Sequence, residues 1–183
     1  MTTIGPADDV VSLLTQDHEA VKQRFSEFES VPPDVRGELF WRLMDQLVRH
    51  EVAEEVVVHP VIRKEPGAAE IVDARIAEEA EAERLLAHME KLDATSEEFM
   101  GALRGLQAAV LDHAEHEEGE EFPLLLANEE NGRLLLLGQK YKGAKLEAPN
   151  HPHPHAPDRP PGNKIVGPFA AFFDRIREMA HQP

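Results

Sequence analysis

The sequence predicts an all-α protein, and more narrowly an up-down-up-down four-helix bundle. Apolar residues recur three or four positions apart through residues 10–145, which is the spacing of one face of a helix. Alternation of period two, the mark of a strand, is absent over any useful length. Four segments of roughly 20 to 30 residues with short connections therefore predict antiparallel neighbouring helices.

Proline and small polar residues divide this region into its helices. Pro32 and Pro33 follow the first helix, and Pro60 is expected to bend or end the second. Ser96, followed by Glu98, resembles an N-cap that starts the fourth. The four long helices and a shorter fifth are predicted, in order, at about 9–30, 34–64, 68–92, 96–127 and 131–145.

The composition changes after the fifth helix. Half of the 14 prolines lie in residues 149–168, which predicts an extended Pro-rich strap. A last amphipathic helix is predicted at about 168–181, and its apolar residues Phe169, Phe172, Phe173 and Ile176 imply docking on the bundle or on a second subunit. We therefore expect a bundle over residues 1–147 and an extension over 148–183.

Composition also narrows the class of function. There are no cysteines, which excludes disulfides, thiolate metal sites and cysteine nucleophiles. The formal net charge of −16, carried almost wholly by residues 1–147, would repel phosphate backbones, so nucleic acid is not an expected partner. No apolar run approaches the ~20 residues of a membrane span, and the first residues lack the basic and apolar parts of a signal peptide. We expect a cytoplasmic protein without membrane association.

A repeated motif carries the chemistry. His50, Glu54 and Pro60 have the same spacing as His113, Glu117 and Pro123, and both copies read H-x-x-x-E-E-x-x-x-x-P. Residues four apart share one face of a helix, so each copy offers an imidazole and a carboxylate to one point. Two such helices facing each other suit a pair of iron, manganese or zinc ions.

The motifs lie on the apolar stripes of their helices. His18 fills a gap in the stripe of the first helix, and His50 and His113 continue the stripes of the second and fourth. A buried carboxylate is costly unless it is paired or bound to a metal. Three helices whose apolar stripes carry polar residues at matching positions therefore indicate a shared polar centre in the core. A lone core histidine such as His18 can also be a hydrogen-bonded packing residue, and Glu–His pairs can satisfy each other without a metal.

The third helix allows two orientations. One apolar stripe, through Val72, Ile76 and Leu86, turns Glu79 and Glu83 toward the centre. A second stripe, through Ile71, Ala82, Leu85 and Met89, leaves both glutamates nearer the flank. Periodicity does not decide between the two stripes.

These segments resemble the hemerythrin-like (HHE cation-binding) family of diiron four-helix bundles. The resemblance covers about residues 10–127 and rests on LLTQDHEAV, LVRHEVAEEVVVHP, IAEEAEAERLLAHMEKLDA and DHAEHEEGEEFP. The tail HPHPHAPDRPPGNKIVGP is similar to the Pro-rich extension of actinobacterial members, including mycobacterial hemerythrin-like proteins.

The resemblance implies two non-haem iron ions bridged by oxygen and carboxylates, with Mn or Zn as alternatives. The family's ligand positions fall on His18, His50, Glu54, His113 and Glu117, and in the third helix on Glu79, with Glu83 four residues later. Relatives usually have a histidine where this chain has Glu79. His59 stands where relatives often have an aromatic residue, and nine residues past His50 it is expected to face away and not to ligate.

Family members bind O₂, respond to peroxide or nitric oxide, or store and sense iron. Glu79 makes this site richer in carboxylate, which favours the ferric state over reversible O₂ carriage. We expect reaction with peroxide, O₂ or nitric oxide, including catalase-like turnover. A binding or sensing protein without turnover and a degenerate bundle acting as an interaction module remain alternatives, and the chain is expected to be a monomer or a homodimer.

Overall fold

The computed structural model describes residues 8–148, which form helices and turns with no strand in that range. The prediction of an all-α fold is confirmed. The helices are α1 (Val10–Glu27), α2 (Arg36–Val57), α3 (His59–Ile62), α4 (Ala69–Met89), α5 (Glu97–His116), α6 (Phe122–Asn128) and α7 (Asn131–Glu147). A 3₁₀ turn (Pro33–Val35) precedes α2, and a π-helical turn (Glu117–Glu121) joins α5 to α6.

Side-chain caps start two of the long helices. The Asp9 carboxylate accepts a hydrogen bond from the backbone N–H of Ser12 at 2.9 Å and begins α1. The Ser96 hydroxyl accepts from the N–H of Phe99 at 3.1 Å and begins α5, so the predicted N-cap is confirmed. Each cap satisfies one of the backbone donors that the first helical turn leaves unpaired.

The two prolines of the repeated motif coincide with irregular backbone. Pro60 is the second residue of α3, just after the break that ends α2 at Val57. The sequence predicted that Pro60 would bend or end the second helix. Pro123 follows the π-helical turn. Proline lacks an N–H and its ring clashes with the carbonyl four residues earlier, so a regular α-helix cannot run through either position undisturbed.

Two apolar clusters form the core, and a polar layer separates them. One cluster includes Phe28, Leu43, Met89 and Leu106, and the other includes Leu14, Ile62, Val72 and Leu125. Along α1 and α4 the second cluster comes before the first, whereas the order is reversed along α2 and along α5 with the α6 that follows it. All four helices therefore cross the polar layer near their middle or their end.

α7 packs against α1 and α2, while α4 packs against α5. The approach of α7 depends on Gly138, because a Cβ at this position would overlap the backbone carbonyl oxygen of Asp8. The ammonium of Lys142 also contacts the carboxylate of Asp8. These contacts hold α7 close enough for its side chains to reach the polar layer.

The predicted Pro-rich strap and the C-terminal helix with its phenylalanines lie outside the described residues. Within residues 8–148, no helix is long and apolar enough to cross a membrane.

Candidate metal centre

Three groups of histidine and glutamate side chains meet in the polar layer. We name them the His18 group (His18, His50 and Glu117), the His113 group (Glu51, Glu79 and His113) and the His59 group (Glu54, His59, Glu117 and Glu121). Within each group, one ligand atom per residue lies within 4.8 Å of every other. All are buried except Glu51, whose side chain keeps 12% of its surface exposed.

Glu117 joins two of these groups through its two carboxylate oxygens. Its Oε2 lies 3.0 Å from Nε2 of His18, and its Oε1 lies 2.8 Å from Nε2 of His113. Neither contact has the geometry of a hydrogen bond, and all four atoms are buried without a hydrogen-bond partner in the described part of the chain. A carboxylate that bridges two metal ions, each also bound by an imidazole, would have this arrangement.

The outer nitrogen of each of these histidines is held by a hydrogen bond. Nδ1 of His18 lies 2.8 Å from Oε1 of Glu118, and Nδ1 of His113 lies 3.0 Å from Oε2 of Glu78. A carboxylate accepts only from a protonated nitrogen, so in the neutral imidazole each bond leaves the lone pair on Nε2, which faces the centre. Metal-ligating histidines are typically oriented in this way.

His50 is oriented through a tyrosine. Tyr141 of α7 donates its hydroxyl hydrogen to Oδ2 of Asp17 at 2.6 Å, so its oxygen is free to accept from Nδ1 of His50 at 2.7 Å. The ammonium of Lys145 lies 2.5 Å from the same Asp17 oxygen. The sequence did not indicate a role for Tyr141, because nothing local reveals that a residue 91 positions away packs beside His50.

His59 was predicted to face away from the centre, and that prediction is wrong. Its side chain is buried, with Nε2 3.6 Å from Oε1 of Glu79 and 3.7 Å from Oε2 of Glu121. The prediction assumed an unbroken helix from His50, whereas α2 ends at Val57 and α3 begins at His59. The break redirects the side chain.

Glu79 and Glu83 differ in position. Glu79 is buried in the His113 group, while Glu83 is half-buried and belongs to none of the three groups. The buried face of α4 follows Val72, Arg75, Glu79, Leu86 and Met89. Its alternating steps of three and four put Ala82, not Glu83, next on the core side, and Ala82 packs against the apolar core.

Two further members of the groups were not predicted. Glu121 repeats the four-residue spacing from His113 to Glu117, and that spacing was a signal the sequence offered. Glu51 directly follows His50 and so lies about 100° further round the helix. No periodic signal separates it from a surface residue.

Three buried glutamates of the centre have raised pKa values. Burial raises the pKa of Glu54 well above its ordinary value, and the charge of Glu117 raises it further. Burial likewise raises the pKa of Glu79 well above its usual range, and it raises the pKa of Glu121 to about 8. Near pH 7 these carboxyls are therefore neutral, or their ionised form is destabilised by burial.

Glu117 and the histidines respond differently. Burial alone would raise the pKa of Glu117, but His113 and His18 outweigh it and hold that pKa well below the ordinary range. Burial would lower the pKa of His113, yet the charge of Glu117 raises it well above 6.5. Burial lowers the pKa of His59 to about 4. His59 is therefore a neutral imidazole at pH 7, the form that binds metals.

The donor set fits transition-metal ions. Imidazole nitrogens with carboxylate oxygens suit iron, manganese and zinc, and these donors are buried with many of their atoms unpaired. A cavity of about 10 Å³ adjoins His18, His50 and His113 and is otherwise bounded mainly by apolar side chains. Larger surface grooves of about 470 and 430 Å³ contain no member of the three groups.

Comparison with known proteins supports the same interpretation. The sequence model of the family described as Hemerythrin HHE cation binding domain matches residues 9–125. The chain is 30% identical over 136 residues to an uncharacterized hemerythrin-like protein of Schizosaccharomyces pombe, covering 73% of this chain and 67% of that protein. It is 28% identical over 141 residues to a DNA nickase of Nostoc sp., covering 75% of this chain but only 39% of the nickase. No solved structure matches the chain. The chain belongs to the hemerythrin HHE cation-binding domain family.

Proposed function

We propose that the protein binds two metal ions, most suitably iron, in the His18 group and the His113 group. The observation that carries this proposal is the position of Glu117, which directs one oxygen toward His18 and the other toward His113 without hydrogen-bonding to either. Glu54 lies beside the same centre, with Oε2 3.3 Å from Nε2 of His50. Together the groups supply imidazole and carboxylate donors to both ions, and Glu117 links them.

The proposed activity is reaction with peroxide, O₂ or nitric oxide, with peroxide disproportionation as the first candidate. When bound, a pair of irons supplies redox chemistry that the side chains cannot. The chain's contribution is the set of anionic oxygen donors, because Glu51 and Glu79 surround His113. Such donors stabilise the ferric state and so disfavour the long-lived ferrous state that reversible O₂ carriage requires.

The size of the cavity beside the histidines supports a small ligand. Its volume of about 10 Å³ is close to the ~10–15 Å³ that one water molecule needs. Val21, Leu47 and Val110 line it on the apolar side. The cavity is thus no larger than one water molecule needs, and an organic substrate would not fit.

The same proposal includes the finer architecture. The order of the two clusters along α2, and along α5 with α6, is the reverse of that along α1 and α4, which supports an up-down-up-down bundle. We further propose that residues 1–147 form this bundle and 148–183 an extension, and that the extension places the chain near the actinobacterial members of the family. DNA nicking is not extended to this chain, since its net charge of −16 opposes approach to phosphate backbones.

Metal analysis with a matched pair of variants tests the proposal. Purified from iron-supplemented cells, the protein should contain at least two metal ions per chain and absorb in the near ultraviolet, and it should release O₂ when peroxide is added. His113→Ala should lose most of the iron because it removes an imidazole from the centre. His88→Ala, at an exposed position on α4, should lose none.

The outcomes separate the candidate functions. Only trace metal in the wild-type protein would refute the two-metal centre and favour an interaction module. Bound iron without any consumption of peroxide, O₂ or nitric oxide would refute turnover and favour a binding or sensing protein.

A further inference from the structure

The His59 group contains two residues that the two proposed ions do not use. His59 begins α3, directly after the break that precedes Pro60, and Glu121 ends the π-helical turn before Pro123. The backbone irregularity at each proline of the repeated motif therefore brings one extra donor into the polar layer. Single π-helical turns occur frequently at functional sites.

The polar atoms of this group are buried and unpaired. Glu121 and Glu54 are fully buried, and His59 is 3% exposed. Both carboxylate oxygens of each glutamate and both ring nitrogens of His59 have no hydrogen-bond partner among residues 8–148. Leaving so many polar atoms without partners costs ~1–3 kcal/mol for each group, and more for a charged one.

The buried cationic side chain on the neighbouring helix does not fill this role. The guanidinium of Arg75 on α4 donates to Oε1 of Glu78 at 2.8 Å and to Oε2 of Glu120 at 3.1 Å. Both of these hydrogen bonds go to glutamates outside the three groups. If Glu54 and Glu121 are to be ionised, a positive charge must come from elsewhere.

The spacing of the donor atoms suits one small cation. Metal–ligand bonds of about 2.0–2.2 Å place two donors on the same ion roughly 3.0–3.5 Å apart. Nε2 of His59 lies 3.7 Å from Oε2 of Glu121, and all four residues offer atoms within 4.8 Å of one another. His59 and Glu121 would have to approach each other by only a few tenths of an ångström, and donors at the 4.8 Å limit by roughly 1 Å.

We propose that Glu54, His59, Glu117 and Glu121 form a third metal site, which binds a divalent transition-metal ion next to the two-metal centre. The imidazole favours iron, manganese or zinc over magnesium and calcium, which prefer oxygen donors alone. The third site rests on the proposed function because it shares Glu117 with the His18 group and because its Glu54 lies beside His50 of that group. The three groups together form a triangular cluster, because Glu79 also lies 3.6 Å from His59.

Counting ions per chain tests the proposal. The full chain is loaded with Fe²⁺ without oxygen, freed of loose metal and analysed for iron per folded chain. Wild type and the exposed-position control Glu115→Gln should hold three ions. Glu121→Gln, which keeps the side-chain shape, and His59→Phe, which keeps a ring, should each hold two. After exposure to air, both variants should show the near-ultraviolet absorption of the oxidised pair.

Two other results would be informative. Two ions in the wild type, unchanged in both variants, would overturn the third site and leave the two-metal centre standing. A single ion that His59→Phe abolishes would overturn the two-metal centre and support the His59 group as a metal site. Circular dichroism of each variant checks that it is folded, and the near-isosteric Glu121→Gln keeps the test valid if the aromatic replacement disturbs packing.

Discussion

Replacing Glu121 with Gln should stabilise the metal-free protein at neutral pH, although it removes a candidate ligand. Glu121 is fully buried, and neither of its carboxylate oxygens has a hydrogen-bond partner within the range that the structure describes. Gln has nearly the same shape and stays neutral at every pH. The substitution therefore removes the cost of a buried negative charge without opening a cavity.

The magnitude follows from the pKa. Burial, with the charge of Glu117 adding to it, raises the pKa of Glu121 from an ordinary 4.5 to about 8. Between these values the folded chain keeps the proton that the unfolded chain releases, so the free energy of unfolding falls as pH rises from about 4.5 toward 8. A pH of 7 is about 2.5 units above the pKa of Glu121 in the unfolded chain. At ~1.4 kcal/mol per unit, the carboxyl lowers the free energy of unfolding by about 3 kcal/mol. In a chain of this size that is a difference in Tm on the order of 10 °C.

The assay is thermal or urea unfolding of chelator-treated protein at several pH values. Glu121→Gln should exceed wild type by about 3 kcal/mol at pH 7 and by nearly nothing at pH 4.5, while Glu115→Gln at an exposed position should differ by less than ~0.5 kcal/mol. With Fe²⁺ present the order should reverse, because the ion stabilises the folded wild type more strongly. A Gln variant that is equally stable, or less stable, without metal at pH 7 would refute the reasoning.

Three further predictions concern the same centre. Tyr141→Phe should lower metal affinity by ~10–100-fold in competition with a chelator, because His50 loses its Nδ1 acceptor while the ring still fills its place; unchanged affinity would contradict this role. Glu79→Ala should reduce the iron content, whereas Glu83→Ala should not, and Glu79→His should raise the reduction potential of the bound iron. Equal losses of iron from the two alanine variants would contradict the assigned orientation of α4. Metal binding should release protons and become tighter as pH rises from 6 to 8, because burial raises the pKa of Glu54 and Glu79. Calorimetry in buffers of different ionisation enthalpy would detect the released protons, and a count of zero would contradict this prediction.

Much of the candidate site was accessible from helical periodicity. His18, His50 and His113 lie on stripes that turn polar at one depth, and the structure brings them together with Glu54 and Glu117. The spacing of four residues determines that such pairs share a face wherever the helix is regular, so no tertiary information was needed. The same reasoning failed where the helix is irregular. His59 was placed on the wrong side because Pro60 interrupts the helix that carries it.

By itself, the sequence determined the all-α class, the approximate helix limits, and the two His-x-x-x-Glu pairs at one level of the bundle. Those features depend on contacts between residues three to four positions apart. The tertiary structure alone decided that Tyr141 orients His50, that Glu79 rather than Glu83 is buried among the donors, and that Glu51 belongs with His113. Each of these depends on how one helix is rotated and placed against another. Such placement is set by long-range packing, including the close approach of α7 at Gly138, and the period of a single helix does not encode it.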